Sequence, residues 1–277
     1  MNPIFQIAIA TILLGSSGVF IKFADLSPLV MTFFRTGIPL AIACGVFIYR
    51  REPIFKGITP FLLFISLLDA IRALCYVIGF SNTDLSTAVI ILYTWPLFAT
   101  LFSWLFLKEA IPKRNLLLLP CFLLGIVVIY ANGEFSFTDS NFIGLNSVLL
   151  SAILVAVTVV SYKDKSKELS IYRLIFYQNL CASILTLPFF LWTQPFPNIF
   201  EASMGISYGF LTGFVGFVLF FSALNKLKAS TTAIFCYLEV LSTIIFGLVF
   251  FKEQLSANTI LGASLVLSAS FFLKNND

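Results

Sequence analysis

The chain contains no histidine, and charged residues fill only 11% of its 277 positions. Without imidazole, Ser–His and Cys–His nucleophilic pairs are excluded, as are the usual histidine-bearing zinc and haem sites. The five cysteines, Cys44, Cys75, Cys121, Cys181 and Cys236, are scattered with no close pair. That spacing supports neither a disulfide framework nor a thiolate metal cluster, and small core residues are the simpler account. No glycine-rich phosphate loop ending in lysine occurs, so the chain supplies no ATP site of its own. The polar stretches between apolar runs are too short to hold a catalytic domain. These absences argue against an enzyme, and neither a metal nor another cofactor is expected.

What the chain has in excess is apolar surface. Hydrophobic residues reach 59%, with 33 phenylalanines, and the mean hydropathy is +1.00. An ordinary soluble domain carries roughly 45–50% apolar and about 25% charged residues, so a water-soluble globule of this composition would be coated with exposed hydrocarbon. The natural solvent is lipid. About 20 apolar residues in a helix cross a bilayer, and ten such runs fit, near 5–23, 29–49, 59–80, 86–107, 115–131, 143–162, 172–192, 203–224, 231–251 and 257–273. The runs lack the alternation of barrel strands, and open strands cannot cross hydrocarbon with unpaired backbone groups. The expected fold is therefore an all-α membrane protein with ten transmembrane helices. The first run has no basic n-region or clear cleavage site, and it is read as a retained helix.

Lysine and arginine collect on the cytoplasmic side of membrane proteins. With both termini placed inside, the ten-helix map puts all but four of the 17 basic residues on that side; Lys22 and Lys252 fall outside, and Arg35 and Arg72 lie within helices. Acidic residues divide almost evenly. The net charge of +4 thus reports topology, and no nucleic-acid partner is expected. The reading is a multi-pass protein of a bacterial inner membrane with both ends cytoplasmic.

A shift of 144 residues lays the fourth run on the ninth with polar matches that composition alone does not supply. Ser86-Thr87 falls on Ser230-Thr231, Tyr93 on Tyr237, Phe102 on Phe246, Phe106 on Phe250, and Lys108-Glu109 on Lys252-Glu253. Each half, 1–134 and 135–277, holds five runs. Five is odd, so the second half enters the membrane in the opposite sense. Two inverted five-helix repeats are an architecture that builds inward-open and outward-open gates around a midplane site.

Several segments, weak singly and strong in their order, then carry a family resemblance. They are the run Leu13-Leu14-Gly15-Ser16, Phe34-Arg35, and the stretch Ser81 to Phe98 closing with Tyr93-Thr94-Trp95-Pro96-Leu97-Phe98. Phe221 to Leu227, Tyr237-Leu238-Glu239 and Phe251-Lys252-Glu253 follow in the second half. Over nearly its whole length the chain resembles the ten-helix EamA-type carriers of the drug/metabolite transporter superfamily. The resemblance implies a carrier of small metabolites. Such carriers often have proline after the ninth-helix glutamate, where this chain has Val240.

Ionisable groups at membrane depth are costly and face partners or water-filled cavities. Four qualify: Arg35 in the second run, Asp69 and Arg72 in the third, and Glu239 in the ninth. Asp69 and Arg72, three apart, share a helix face and can pair locally; alternatively Arg72 or Arg35 holds a substrate carboxylate or phosphate bidentately. Arg35 can instead snorkel to the interface. Glu239 is the candidate for proton coupling or gating, together with Asp69, and a fixed ion pair is the alternative role. Tyr93, Trp95 and Tyr237 are candidate aromatic contacts to substrate, with Asn179, beside Gln178, a neutral hydrogen-bonding one. Pro96 removes a helical hydrogen bond beside Trp95.

The favoured reading is a secondary carrier of an amino acid or similar zwitterion, working by alternating access, with Arg72 and Glu239 supplying opposite charges. Two alternatives stand beside it: a carrier of a larger ring-bearing, nucleoside-like metabolite, and a non-transporting lipid flippase or assembly subunit. The expected partners are a small-molecule substrate, the lipid bilayer and a coupling proton, in a monomer or homodimer.

Overall fold

The structure, a computed structural model, describes residues 2–55, 57–107, 120, 123–129, 131, 140–165, 169–224, 226–227 and 229–274. Among these residues all regular structure is helical. We number the helices α1 (Pro3–Ala24), α2 (Pro28–Tyr49), α3 (Pro60–Asn82), α4 (Leu85–Leu92 continued by Trp95–Leu107) and α5 (123–129). The second half contributes α6 (Ser140–Lys165), α7 (Ile171–Leu191), α8 (Ile199–Ser207 through Phe217–Leu224), α9 (Ala229–Phe251) and α10 (Ala257–Lys274). Seven of these helices are long and apolar enough to cross a bilayer, and α9 and α10 hold shorter apolar stretches, Phe235–Phe251 and Ala257–Ser268. The fifth expected run lies largely outside the described residues, as do Lys108-Glu109 and the expected boundary between 134 and 135.

Local chemistry sets the helix starts. Three helices begin with a polar cap followed by proline at the first helical position: Asn2-Pro3, Ser27-Pro28 and Thr59-Pro60. Proline has no N–H to lose there, and its φ suits the first turn. The Asn2 side chain accepts from the Ile4 N–H at 3.0 Å and Thr59 from Leu62 at 3.2 Å. Asn198 and Glu201 close a reciprocal capping box at the start of α8.

The packing obeys the exchange of halves expected of an inverted repeat. If α1 to α5 trade roles with α6 to α10, the contact of α3 with α6 becomes that of α8 with α1, α3 with α7 becomes α8 with α2, and α4 with α6 becomes α9 with α1; all six are present. The pair α2 and α7 maps onto itself and forms the central contact between halves. Thus the polar repeat in sequence has a counterpart in the topology.

Three spans are irregular near their middles. α1 breaks at Ser16, whose hydroxyl donates to the Leu13 carbonyl at 2.7 Å. α4 breaks at Tyr93-Thr94 and restarts at Trp95, so Pro96 occupies the first turn of the new segment instead of kinking a continuous helix. α8 contains a π-helical stretch from Tyr208 to Gly216, a form that recurs at functional sites. The ninth helix, by contrast, runs unbroken through Val240. A kink borrowed from proline-bearing relatives does not occur because valine keeps its N–H and has no ring to clash with the preceding turn.

Candidate functional site

The irregular spans meet where the membrane-depth charges lie. Asp69 and Arg72 are paired, with Arg72 Nε 2.7 Å from Asp69 Oδ1. The side chain of Asp69 is 1% exposed and that of Arg72 18%. Helical spacing brings them together, and burial of the carboxylate makes the partner necessary. Of the two arginines, Arg72 is therefore already committed to a carboxylate.

Arg35 is held differently. Its guanidinium lies 5.8 Å from the Tyr208 ring centre and 5.1 Å from that of Phe217, one ring at each end of the π-helical stretch of α8. It approaches the Tyr208 hydroxyl without regular hydrogen-bond geometry. Arg72 is a second positive charge close enough to act on it. Among the described residues no carboxylate comes within ion-pair distance of Arg35. The aromatic faces stabilise the cation, although each such contact is worth only about 0.5–2 kcal/mol. The Arg35 side chain is half-buried.

The negative pole is Glu239 on α9. The Tyr93 hydroxyl donates to its carboxylate at 3.0 Å and also reaches the Cys236 carbonyl. The Glu239 backbone carbonyl accepts from Ser242 at 3.0 Å and Thr243 at 2.8 Å, and Thr243 donates as well to the Gly15 carbonyl at the break in α1. The glutamate is thus anchored by its own helix, by α1 and by the broken α4. Tyr237 lies 6.1 Å, ring to ring, from Tyr93 and its hydroxyl reaches the Leu267 carbonyl at 3.5 Å.

Tyr76 connects the poles. It lies within electrostatic reach of both Arg35 and Glu239 and beside Ser17, whose hydroxyl donates to the Leu14 carbonyl at 2.6 Å. Its ring stacks on Phe80 at 4.3 Å. Arg35, Arg72, Tyr76, Trp95, Tyr237 and Glu239 are all half-buried although they sit at the heart of apolar spans. Ionisable groups at that depth ordinarily face partners or water-filled cavities, which makes this cluster the candidate site.

Sequence reading found Arg35, Asp69, Arg72, Tyr93, Tyr237 and Glu239, and the structure gathers them about this centre. Trp95 packs on the neighbouring core cluster. Asn179 stays apart: its amide donates to the Ile175 carbonyl of its own helix at 2.7 Å. Tyr76, Tyr208, Phe217 and Ser17 were missed. Tyr76 carried a legible signal, since it follows Arg72 by four residues on one helix face; Tyr208 and Phe217 did not, because an ordinary α-helical register misplaces residues across a π-helical stretch.

The comparisons agree with this architecture. A pseudopaline exporter of Pseudomonas aeruginosa is 26% identical over 90% of this chain and 87% of its own length. An S-adenosylmethionine uptake transporter of Rickettsia bellii is 22% identical over 88% of this chain and 82% of its own. A crystal structure 16% identical in sequence shares the fold, with a TM-score of 0.65 over 100% of this chain and 99% of the other. Residues 1–131 and 142–274 match the EamA-like transporter family. The chain is a multi-pass integral membrane transporter and belongs to the EamA-like transporter family.

Proposed function

We propose that this transporter is a secondary carrier for an amino acid or a similar zwitterion and works by alternating access. The observation that carries the reading is the separation of charge at the centre: Arg35, with no carboxylate in ion-pair range among the described residues, and Glu239, both within reach of Tyr76. Because Arg72 is paired with Asp69, Arg35 is the arginine that can meet a substrate carboxylate, and a zwitterion complements Arg35 and Glu239 together. Arg35 takes the carboxylate role that sequence alone gave first to Arg72. Glu239 receives the ammonium group or, in its absence, a proton.

A second reading differs only in size of cargo. The half-buried Tyr76, Trp95 and Tyr237 offer aromatic faces beside the charges for a ring-bearing metabolite. The relative named as an S-adenosylmethionine uptake transporter supports this second reading. Both termini are taken to be cytoplasmic, following the basic loops.

Counterflow in proteoliposomes tests these readings. Vesicles loaded with unlabelled amino acids, S-adenosylmethionine or nucleosides are diluted into each labelled compound. Accumulation of a zwitterion supports the proposal. Exchange of neutral nucleosides alone would move the assignment to the ring-bearing class, and no flux from a broad panel, with or without a pH gradient, would overturn both.

A further inference from the structure

A second polar cluster lies well away from the central charges, at the end of the bundle where α4 begins and α9 ends. Asp84 occupies the residue before α4, where a side chain ordinarily caps the helix, yet it makes no cap hydrogen bond. The cap comes from the other half of the chain. The Glu253 carboxylate accepts from the Leu85 N–H at 2.6 Å, from the Ser86 N–H at 3.1 Å and from the Ser86 hydroxyl at 2.7 Å. Lys22, at the end of α1, approaches the same carboxylate at 3.5 Å. The Glu253 side chain is 3% exposed.

The surroundings are built to admit this carboxylate. Lys252 turns the chain with a φ of 53°, returning the Glu253 N–H to the Gly247 carbonyl at 3.2 Å. A Cβ at Gly247 would stand 2.3 Å from Glu253 Oε2, so glycine leaves the space the carboxylate occupies. Phe23 packs against Phe250 and Phe251 at 6.0 and 5.1 Å, and Lys22 lies 5.3 Å from the Phe251 ring. This aromatic wall borders the charges, and in such a poorly screened position a carboxylate facing free backbone N–H groups and a helix dipole is held firmly.

The first half of α4, Leu85–Leu92, packs against α9. Its second half, Trp95–Leu107, packs against α6, which also contacts the first half. The helices α4 and α9 therefore meet at the Glu253 end.

We infer that Glu253 is a gate lock: by capping α4 from the far half of the chain and holding Lys22, it keeps this mouth of the central site closed, and it must release both for the mouth to open. The inference rests on the alternating-access reading above. All its components are on one face, near the ends of α1, α4 and α9, which belong to different halves. A capping bond made within one half would fix local structure; this one ties together the parts that a carrier must separate. Release exposes the Leu85 and Ser86 N–H groups to water, which replaces the lost hydrogen bonds and keeps the open state accessible.

The test uses a protein in which Cys44, Cys75, Cys121 and Cys181 are replaced by serine, leaving Cys236, half-buried beside the central Tyr93 contact, as reporter thiol. In the first arm, Phe23→Cys on α1 and Phe250→Cys on α9, whose rings stand 6.0 Å apart across the two halves and whose replacement leaves Glu253, Leu85, Ser86 and Lys22 unaltered, are joined by a short disulfide-forming bifunctional reagent in a protein with Cys236 also replaced by serine. The cross-link is verified by mass. Exchange is expected to fall to the level of empty vesicles and to return with reductant. In the second arm, Glu253→Ala is expected to raise maleimide labelling of Cys236 from the Lys22 face severalfold, with Glu253→Gln intermediate. Full exchange by the verified cross-linked protein would overturn the lock, and so would unchanged labelling in a folded Glu253→Ala protein. Absence of exchange even in the reduced protein would count against the carrier reading, while the labelling arm still decides the lock.

Discussion

Tyr93 on the broken α4 donates its hydroxyl to Glu239 on the unbroken α9 at 3.0 Å, joining the two halves of the chain at the centre of the candidate site. Under the 144-residue shift Tyr93 corresponds to Tyr237, Trp95 to Glu239 and Pro96 to Val240. The same positions have diverged so that one helix offers a donor beside a break and the other a carboxylate on a continuous scaffold. The symmetry builds the frame, and its violation builds the chemistry.

If Glu239 binds the coupling proton, Glu239→Gln is expected to remove the pH dependence of net transport while leaving counterflow exchange measurable. The two modes differ because exchange returns a loaded carrier and needs no net proton movement. Tyr93→Phe, which deletes the hydroxyl donor but keeps the ring, is expected to shift the pH profile without abolishing it. A pH profile of Glu239→Gln identical to that of the unaltered protein excludes this residue as the coupling group.

The two arginines are expected to fail differently. Arg35→Ala should weaken binding of carboxylate-bearing cargo by about tenfold or more, since a hydrogen bond to a charged group is worth about 1.5–3 kcal/mol. Neutral analogues should lose much less. Arg72→Ala leaves the buried Asp69 carboxylate without this cation, and breaking a buried pair by removing one partner typically costs about 3–5 kcal/mol; the 18% exposure of Arg72 places this pair at the low end. Its signature is therefore a lower thermal midpoint in detergent, partly restored by adding Asp69→Asn. Equal loss of neutral and anionic cargo in Arg35→Ala would remove it from the site.

Much of this arrangement was legible in the sequence because lipid imposes strong rules. Ten apolar runs, the basic bias between them and the Ser86, Tyr93 and Lys252-Glu253 matches gave the inverted architecture before any coordinates. Charges at membrane depth marked Arg35, Asp69, Arg72 and Glu239. What stayed hidden depended on backbone register. The π-helical Tyr208–Gly216 aligns two aromatic residues with Arg35 in a way that regular helical periodicity does not encode. Glu253 was visible as a repeated residue but not as the cap of α4, because a contact across 167 residues has no local signature. Its repeat partner Glu109 lies outside the described residues.

The π-helical stretch makes a steric prediction. A Cβ at Gly209 would stand 2.2 Å from the Phe34 backbone carbonyl and 2.9 Å from Ile38 Cδ1. The first neighbour is backbone and cannot rotate away. Gly209→Ala is therefore expected to push α8 off α2, at a cost of about 1–3 kcal/mol, and to carry Tyr208 away from Arg35. Thermal midpoint and cargo affinity should fall together. A protein of unchanged stability that binds cargo normally would show that the α2–α8 crossing tolerates separation.

Asp84 gives a prediction about acid stability with a definite sign. Burial, and secondarily the charge of Glu253, push its carboxyl above the ordinary carboxylate value, while Lys22 pulls the other way. The folded protein consequently favours protonated Asp84 more than the unfolded chain does. By linkage, that contribution is fully present below the unfolded carboxylate value, near 4, and is lost as pH rises through the raised folded value. Asp84→Asn mimics the protonated form and makes no demand on a side-chain cap that Asp84 does not supply. It is expected to raise the thermal midpoint in detergent at neutral pH and to narrow its difference from the unaltered protein as pH falls toward 4. A variant less stable than the parent at neutral pH would mean that the Asp84 charge favours the closed end through Lys22 more than it opposes it through burial and Glu253. The ordering of those three influences is what the pair of pH titrations measures.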